Sequence, residues 1–408
     1  MQNTTALIQF LKGFSKFIAS NPLIWIMSLI ALLFSASLIP FVIKLCNKYH
    51  WYDSTNARKV HTGNIPRLGS VGFVTAFTVI SVVYSLIEKD AHLSTLLPFV
   101  IAGFIIFLFG VIDDFLDLQA KYKLAVQIIA AVIIVLSGYR FKNIGAIVFP
   151  LWFSYCLTFC WIIGIVNAFN LIDGVDGLCG GLSSLIILTL AIIYSSSATH
   201  SSAICFILVG SIYGFLIYNN PHPKAKIFMG DGGSQFLGFM IAALPLYQST
   251  ANFEYNKLFI MIDLVSIPMM DTIAAIWRRL REHRAIMSPD RLHLHHKLMN
   301  LGLNSRQILF VLLAIQACLC IVSGIAMYYR GFAGFVILGA TFVIMVILFS
   351  IVHYANYSVL QKKAAAEINQ PSENSQITTT SPANKSRTTH NTQQPKHTSV
   401  KTKPSHKS

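Results

Sequence analysis

Residues 96–117 read LLPFVIAGFIIFLFGVIDDFLD, an apolar run that ends on Asp113, Asp114 and Asp117. A carboxylate at the centre of a membrane helix costs roughly 2.5–3.5 kcal/mol. Acids at the end of such a run therefore mark either a solvated helix end or a site that needs negative charge. Similar polar clusters follow residues 166 and 229, so the run is part of a pattern.

Working outward, the chain of 408 residues is 54% hydrophobic and 12% charged, with a mean hydropathy of +0.61. Those values describe an all-α polytopic membrane protein, because a soluble domain has no use for so many apolar stretches of about 20 residues. About eleven spans are expected, near 22–45, 71–87, 95–112, 124–138, 150–168, 179–195, 203–218, 234–250, 258–277, 308–328 and 334–353. The first lacks a small-residue cleavage site after a short apolar core and reads as an anchor. Residues 1–21 form an N-terminal segment and 22–356 the membrane domain. The Ser/Thr/Gln/Asn/Lys-rich residues 357–408 read as a disordered basic tail. The seven cysteines lie in or beside spans and read as small packing residues.

With eleven spans, alternate connections share a side. Residues 46–70, 113–123, 219–233 and 278–307 together carry 15 Lys and Arg, against 7 on the other side. The positive-inside bias makes the first side cytoplasmic, the N-terminus external and the C-terminus cytoplasmic. The net charge of +15 then reads as topology, and nucleic acid is not an expected partner.

Every unusual polar cluster falls on that cytoplasmic side. Asp113, Asp114 and Asp117 end the third span; Asp113 and Asp117 share a face by their four-residue spacing. NAFNLIDGVDGL at 167–178 follows the fifth, with Asn167, Asn170 and Asp173 in three-residue steps and Asp176 beyond. Interhelical hydrogen bonding is the plainer reading of those amides. Asp231, in MGDGGS, opens a helix whose N–H groups attract phosphate, and its carboxylate can hold Mg²⁺. SPDRLHLHH follows the ninth span, with His293, His295 and His296 among Arg278, Arg279, Arg281, Arg284 and Arg291. Zinc would want a fuller ligand set; the arginines make the loop an anion cradle, and Ser288–Pro289 can start a short helix there. Asp271, inside the ninth span, is expected to find a partner within the bundle, Arg278 among the candidates. Carboxylates for a metal and basic groups for an anion suit metal-assisted chemistry on a phosphate. A divalent-cation or lipid transporter is the alternative of another class.

The strings Asp113–Asp114, NAFNLIDGVDGL, FMGDGGSQFLG at 228–238 and HLHH at 293–296 resemble the polyprenyl-phosphate N-acetylhexosamine-1-phosphate transferases, glycosyltransferase family 4, over about residues 40–350. The resemblance implies transfer of a sugar-1-phosphate from a UDP-sugar to undecaprenyl phosphate with release of UMP. It implies Mg²⁺, with Mn²⁺ as a substitute, and an enzyme of the bacterial inner membrane with its active site on the cytoplasmic face; a homodimer is compatible with it. The string His-Leu-His-His-Lys resembles the branch that initiates cell-surface glycans, such as O-antigen, with UDP-GlcNAc. The phospho-MurNAc-pentapeptide branch, with three adjacent histidines, is the alternative, and KVHTGNIPRLGS at 59–70 departs from its Gly-Thr-Pro motif.

By the same resemblance Asp231 is the metal ligand, and Asn170 and Asp173 line the diphosphate and sugar site. Asp176 meets the uracil edge, Phe228 stacks on the base and Asn220 lies near the nucleotide. The arginine-rich loop, read from its own residues, gives Arg291, His293, His295 and His296 to phosphate or sugar recognition. Asp113 and Asp114 correspond to a proposed base and a phosphate-side acid. A phosphate monoester has a second pKa near 6, so the lipid phosphate is largely dianionic at neutral pH and scarcely needs a base. Bare carboxylates would repel it, so a cation must intervene: Mg²⁺, Lys121, Lys123 or the arginine loop.

Overall fold

A computed structural model describes residues 12–52, 65–88, 93–196, 198–220, 224–247, 251–285, 292–327, 329 and 332–368. Met1–Leu360 is one compact unit; of the second, Gln361–Ser408, only 361–368 are described, and they are helical. All eleven expected spans are helices: α1 (Pro22–Tyr49), α2 (Gly69–Ile87), α3 (Leu93–Leu116), α4 (Ala120–Leu136), α5 (Leu151–Ile172), α6 (Leu178–Tyr194), α7 (Thr199–Asn219), α8 (Asp231–Tyr247), the pair α9 (Ala251–Leu264) and α10 (Ser266–Arg281), then α12 (Ser305–Ala326) and α13 (Phe332–Ile368), with short α11 (Leu294–Asn300) between. Seven are long and apolar enough to cross a membrane, and the pair α9–α10 makes an eighth. The chain is thus a multi-pass membrane protein. The remaining helices, α4, α6 and α8, have 17 residues each.

Small differences from the sequence reading have local causes. The span expected over 258–277 is bent by 70° between α9 and α10. Pro268 cannot donate to the Leu264 carbonyl; the side chain of Gln316 on α12 donates to it instead, at 3.0 Å. Helix α13 continues through residue 368, past the expected start of the tail, because 360–366 (LQKKAAA) are good helix formers. A hairpin not foreseen in an all-α reading, Asn143–Ile144 with Ile147–Val148, joins α4 to α5 around Gly145.

Helix α8 is the axis of the bundle. Gly232 to Leu246 are all buried, with α3 and α5 packed on either side. Helix α7 is buried nearly all round against α1 and α6. Gly210 and Gly214, one turn apart, let α1 approach closely: a Cβ on Gly210 would meet the Ser28 carbonyl at 2.3 Å. Such a small-residue stripe suits helices that associate in lipid. The outer helices α1, α12 and α13 show Leu33, Phe41, Phe310, Ile321, Ile347 and Ile351 on their surface, as a lipid-facing surface requires. The axial position of α8 fixes the site, because its N-terminus meets the ends of α3 and α5 at one end of the bundle.

Candidate active site

The site is built where α3 ends and α8 begins. Gly110 and Gly232 bring those backbones into contact; a Cβ on Gly110 would lie 2.4 Å from the Gly232 Cα. Asp114 therefore reaches the start of α8, where it accepts the N–H of Asp231 at 2.9 Å and that of Gly232 at 3.3 Å. The helix start read as a phosphate-attracting terminus is thus already capped by a carboxylate of the same chain. The segment 66–70 clamps the other side: Phe228 N–H donates to the Pro66 carbonyl at 2.8 Å, and Gly69 and Ser70 donate back to Phe228 and Met229. That clamp fixes Phe228, half-buried, three residues before Asp231.

Lys123, in the first turn of α4, is the cation that meets the acids. It bridges Asp113 and Asp231, lying 2.8 Å from Asp231 Oδ2. Asp113, buried, also accepts the Leu118 N–H at 2.8 Å, which turns the chain from α3 into α4. Asp117 does not join this group. It falls one residue past the end of α3 in the left-handed region, φ 49°, and is exposed, so the face it would share with Asp113 does not continue that far.

The end of α5 supplies the next wall. Asn170 donates to Ser234 Oγ on α8 at 3.0 Å. Asn167 faces another partner, donating to Gln127 Oε1 at 2.7 Å, while Gln127 donates to Gln235 at 3.2 Å. The plainer reading of the amides, interhelical bonding, thus describes Asn167. Asp173 terminates α5. Burial, then the charges of Asp231, Asp114 and Asp176, push its carboxyl up to about 8, with Arg67 pulling the other way. Asp176, half-buried, follows in the loop to α6. That loop is held by Asn219, which accepts the Gly177 N–H at 2.9 Å and donates to the Ile227 carbonyl at 2.9 Å. Asn220 sits beside Gly177 at the polar end of an otherwise apolar cavity of about 580 Å³ between α6, α7 and α12.

The histidines close the site. His293 precedes α11 in extended conformation. Its Nδ1 lies 3.0 Å from Asp271 Oδ2, and the Leu294 N–H donates to Asp271 Oδ1 at 2.8 Å. Asp271 thus finds its partner in the histidine segment; Arg278 instead donates to the Leu292 carbonyl at 3.0 Å. His295 packs on the α5–α6 loop, and a Cβ on Gly174 would come within 2.4 Å of its ring. Burial, then the neighbouring His296, push His295 down to about 4, so its ring is neutral at neutral pH. His296 lies 4.2 Å from His295 between ring centroids. Arg291 and Ser288–Pro289 lie outside the described residues, as do Lys59 and His61.

Gln127, Gln235, Ser234, Asn219 and Arg67 complete the site, and the sequence reading gave them no role there. Gln127 follows Lys123 by four residues, a spacing that could have revealed their shared face. Among the described residues no three His, Cys, Asp or Glu side chains gather as a ready metal cage. Mg²⁺ does not need one: it takes one or two carboxylates plus substrate phosphates and keeps several waters. Asp231 and Asp173 are the candidates for such carboxylates, Asp173 being raised first by burial and then by the charge of Asp231.

Fold and site together define a multi-pass membrane enzyme of the glycosyl transferase class. Residues 96–249 match the family described as Glycosyl transferase family 4. The chain is 36% identical over 294 residues to a probable undecaprenyl-phosphate N-acetylglucosaminyl 1-phosphate transferase of Bacillus subtilis strain 168, covering 70% of this chain and 80% of that one. It is 30% identical over 311 residues to the undecaprenyl-phosphate alpha-N-acetylglucosaminyl 1-phosphate transferase of Escherichia coli K12, covering 74% and 83%. To the protein of that name from Yersinia pestis it is 31% identical over 307 residues, covering 72% and 81%. The chain belongs to glycosyl transferase family 4.

Proposed function

We propose that this chain transfers GlcNAc-1-phosphate from UDP-GlcNAc to undecaprenyl phosphate, releasing UMP, in the initiating step of a cell-surface glycan. The convergence of Asp113, Asp114 and Asp173 on Asp231, with Lys123 bridging Asp113 and Asp231 and a histidine layer alongside, carries the reading. It pairs an acidic face suited to a cation with a basic face suited to a diphosphate. The relatives' names support the sugar and the lipid, and the His-Leu-His-His string points away from the pentapeptide branch.

Asp231, with Asp173, would hold Mg²⁺ or Mn²⁺, which when bound draws charge off the diphosphate at the bond that breaks. Lys123 bridges Asp113 and Asp231 and offsets one of their two charges, so the dianionic lipid phosphate meets less negative charge as it approaches. Asp114 serves as the cap that sets the direction of Asp231, and so acts as a positioning group. Phe228 and Asp176 stand at the nucleotide end, with Asn220 further along the same loop. His293, His295 and His296 face the anionic part of the sugar nucleotide, His295 as a neutral ring, and Arg291 is assigned to the same anion from the sequence alone.

In this reading the chain crosses the bacterial inner membrane eleven times, with the N-terminus outside and the site on the cytoplasmic face. Helices of 17 residues reach about 25 Å, enough for a slightly thinned bilayer around a buried core. The test is a substrate panel: purified protein, Mg²⁺, undecaprenyl phosphate and UDP-GlcNAc, UDP-GalNAc or UDP-MurNAc-pentapeptide. UMP should appear fastest with UDP-GlcNAc. Preference for the pentapeptide would reassign the branch, and cation flux without UMP release would favour the transporter.

A further inference from the structure

Asp271 and His293 form a dyad, and the proposed reaction has so far given Asp271 no role. Asp271 lies on α10 and is 1% exposed. Two donors from the segment opening α11 converge on it: the Leu294 N–H on Oδ1 and His293 Nδ1 on Oδ2. An ionised carboxylate only accepts, so the hydrogen between the two side chains sits on Nδ1. His293 stands before the first turn of α11, at φ −66° and ψ 160°, so the helix itself does not orient the ring. The ring's other edge, Nε2, meets no protein partner among the described residues. The ring stacks over His295 with centroids 6.1 Å apart and planes within 12°. His295 in turn lies on Gly174, beside Asp173. The dyad therefore stands one ring away from the acidic cluster.

We propose that Asp271 is a positioning residue for the diphosphate of the sugar nucleotide: it locks His293 with Nδ1–H inward and presents Nε2 to a phosphate oxygen. A carboxylate on one edge and a phosphate oxygen on the other both accept, so in the complex both ring nitrogens carry hydrogen. The inference rests on the transferase reading. It adds that the histidine segment is aimed from the membrane side by a carboxylate on a different helix.

The test compares Asp271→Asn, Asp271→Glu, His293→Gln and Asp271→Asn/His293→Gln, with ¹⁵N-histidine spectra of the wild type. Asp271→Asn should lower kcat/KM for UDP-GlcNAc about 10–100-fold, the range typical when a carboxylate behind a working histidine is lost. The loss should fall mainly on KM for the nucleotide sugar, leaving KM for undecaprenyl phosphate unchanged. Glu should restore part of it. In the His293→Gln background the Asn substitution should cost less than about twofold, because coupled residues do not add. The ¹⁵N spectrum should show a protonated Nδ1 on His293. Full additivity, an equal change in both KM values, or a bare Nδ1 would overturn the proposal. Should Asp271→Asn not fold, Asp271→Glu and the wild-type spectrum still decide it. Absence of UMP from the wild type would instead refute the transferase reading, while the spectrum would still report on the dyad.

Discussion

Two regions of the site use one device to opposite ends. At the α3–α8 junction, Asp114 accepts the N–H groups of Asp231 and Gly232 and so fixes the start of α8. At the α10–α11 junction, Asp271 accepts the N–H of Leu294 and so fixes the start of α11. In each, a carboxylate on one helix caps the start of another, as charge at a helix N-terminus favours. What the cap leaves beside it differs. Asp114 leaves Asp231, an acid bridged by Lys123 and also under the charge of Arg67, and in the proposed reading a place for a cation. Asp271 leaves His293, a ring whose other edge meets no partner among the described residues, and in the proposed reading a place for an anion. The two halves of a metal–diphosphate site can thus be built from the same backbone geometry.

The largest effect that would sharpen this contrast is at Asp231. Asp231→Asn keeps the size and the cap but removes the charge. Turnover should fall at least about 1000-fold, some 4 kcal/mol, with the melting temperature within a few degrees of wild type. Near-normal turnover would remove Asp231 from the metal role. Asp114→Ala probes the cap. It strips the acceptor from two backbone N–H groups, each worth about 1–3 kcal/mol when left without a partner in a buried setting. A clear loss of thermal stability should therefore accompany the loss of activity. If stability were untouched, Asp114 would not be the counterpart of Asp271.

Gly174→Ala perturbs the contact between the two regions. The added methyl meets the His295 ring at 2.4 Å, so the histidine layer must shift. A loss of about tenfold or more in kcat/KM is expected, because small misplacements at a reacting centre are costly. Full activity would mean that the histidine layer tolerates the displacement.

The smallest expected effect is on pH. Native His295 resists protonation down to about 4, whereas an unfolded histidine takes its proton near 6.5. Between those values the unfolded chain binds more protons, so stability falls as pH drops from about 6.5 toward 4. His295→Asn should flatten the decline in melting temperature between pH 7 and 5. An unchanged slope would show that His295 is not the responsible group.

The helices were legible because apolar runs in a membrane chain are long and their polar ends stand out. Asp113, Asp114, Asp173 and Asp231 could be placed on one side by counting spans, without knowing how they touch. The need for a cation was also legible, and Lys123 answers it. Whether a carboxylate works on substrate or on backbone was not. Asp114 and Asp231 look alike in sequence, and only the close approach of Gly110 to Gly232 makes one of them a cap. Asp271 was visible as an intramembrane acid, but its partner lies 22 residues on, past a bend and a loop, where spacing rules no longer apply. At the α9–α10 break Pro268 was a local signal, but the group that takes up the freed Leu264 carbonyl, Gln316 on α12, was not legible.

The central claim is that this site transfers a phosphorylated sugar rather than a sugar alone. UDP-GlcNAc carrying ³²P only at the β-phosphate decides it, in a reaction with Mg²⁺ and undecaprenyl phosphate followed by organic extraction. The expected result is label in the lipid phase with unlabelled UMP in the water, and neither with Asp231→Asn. Label left in aqueous UDP while the sugar enters the lipid would contradict the account.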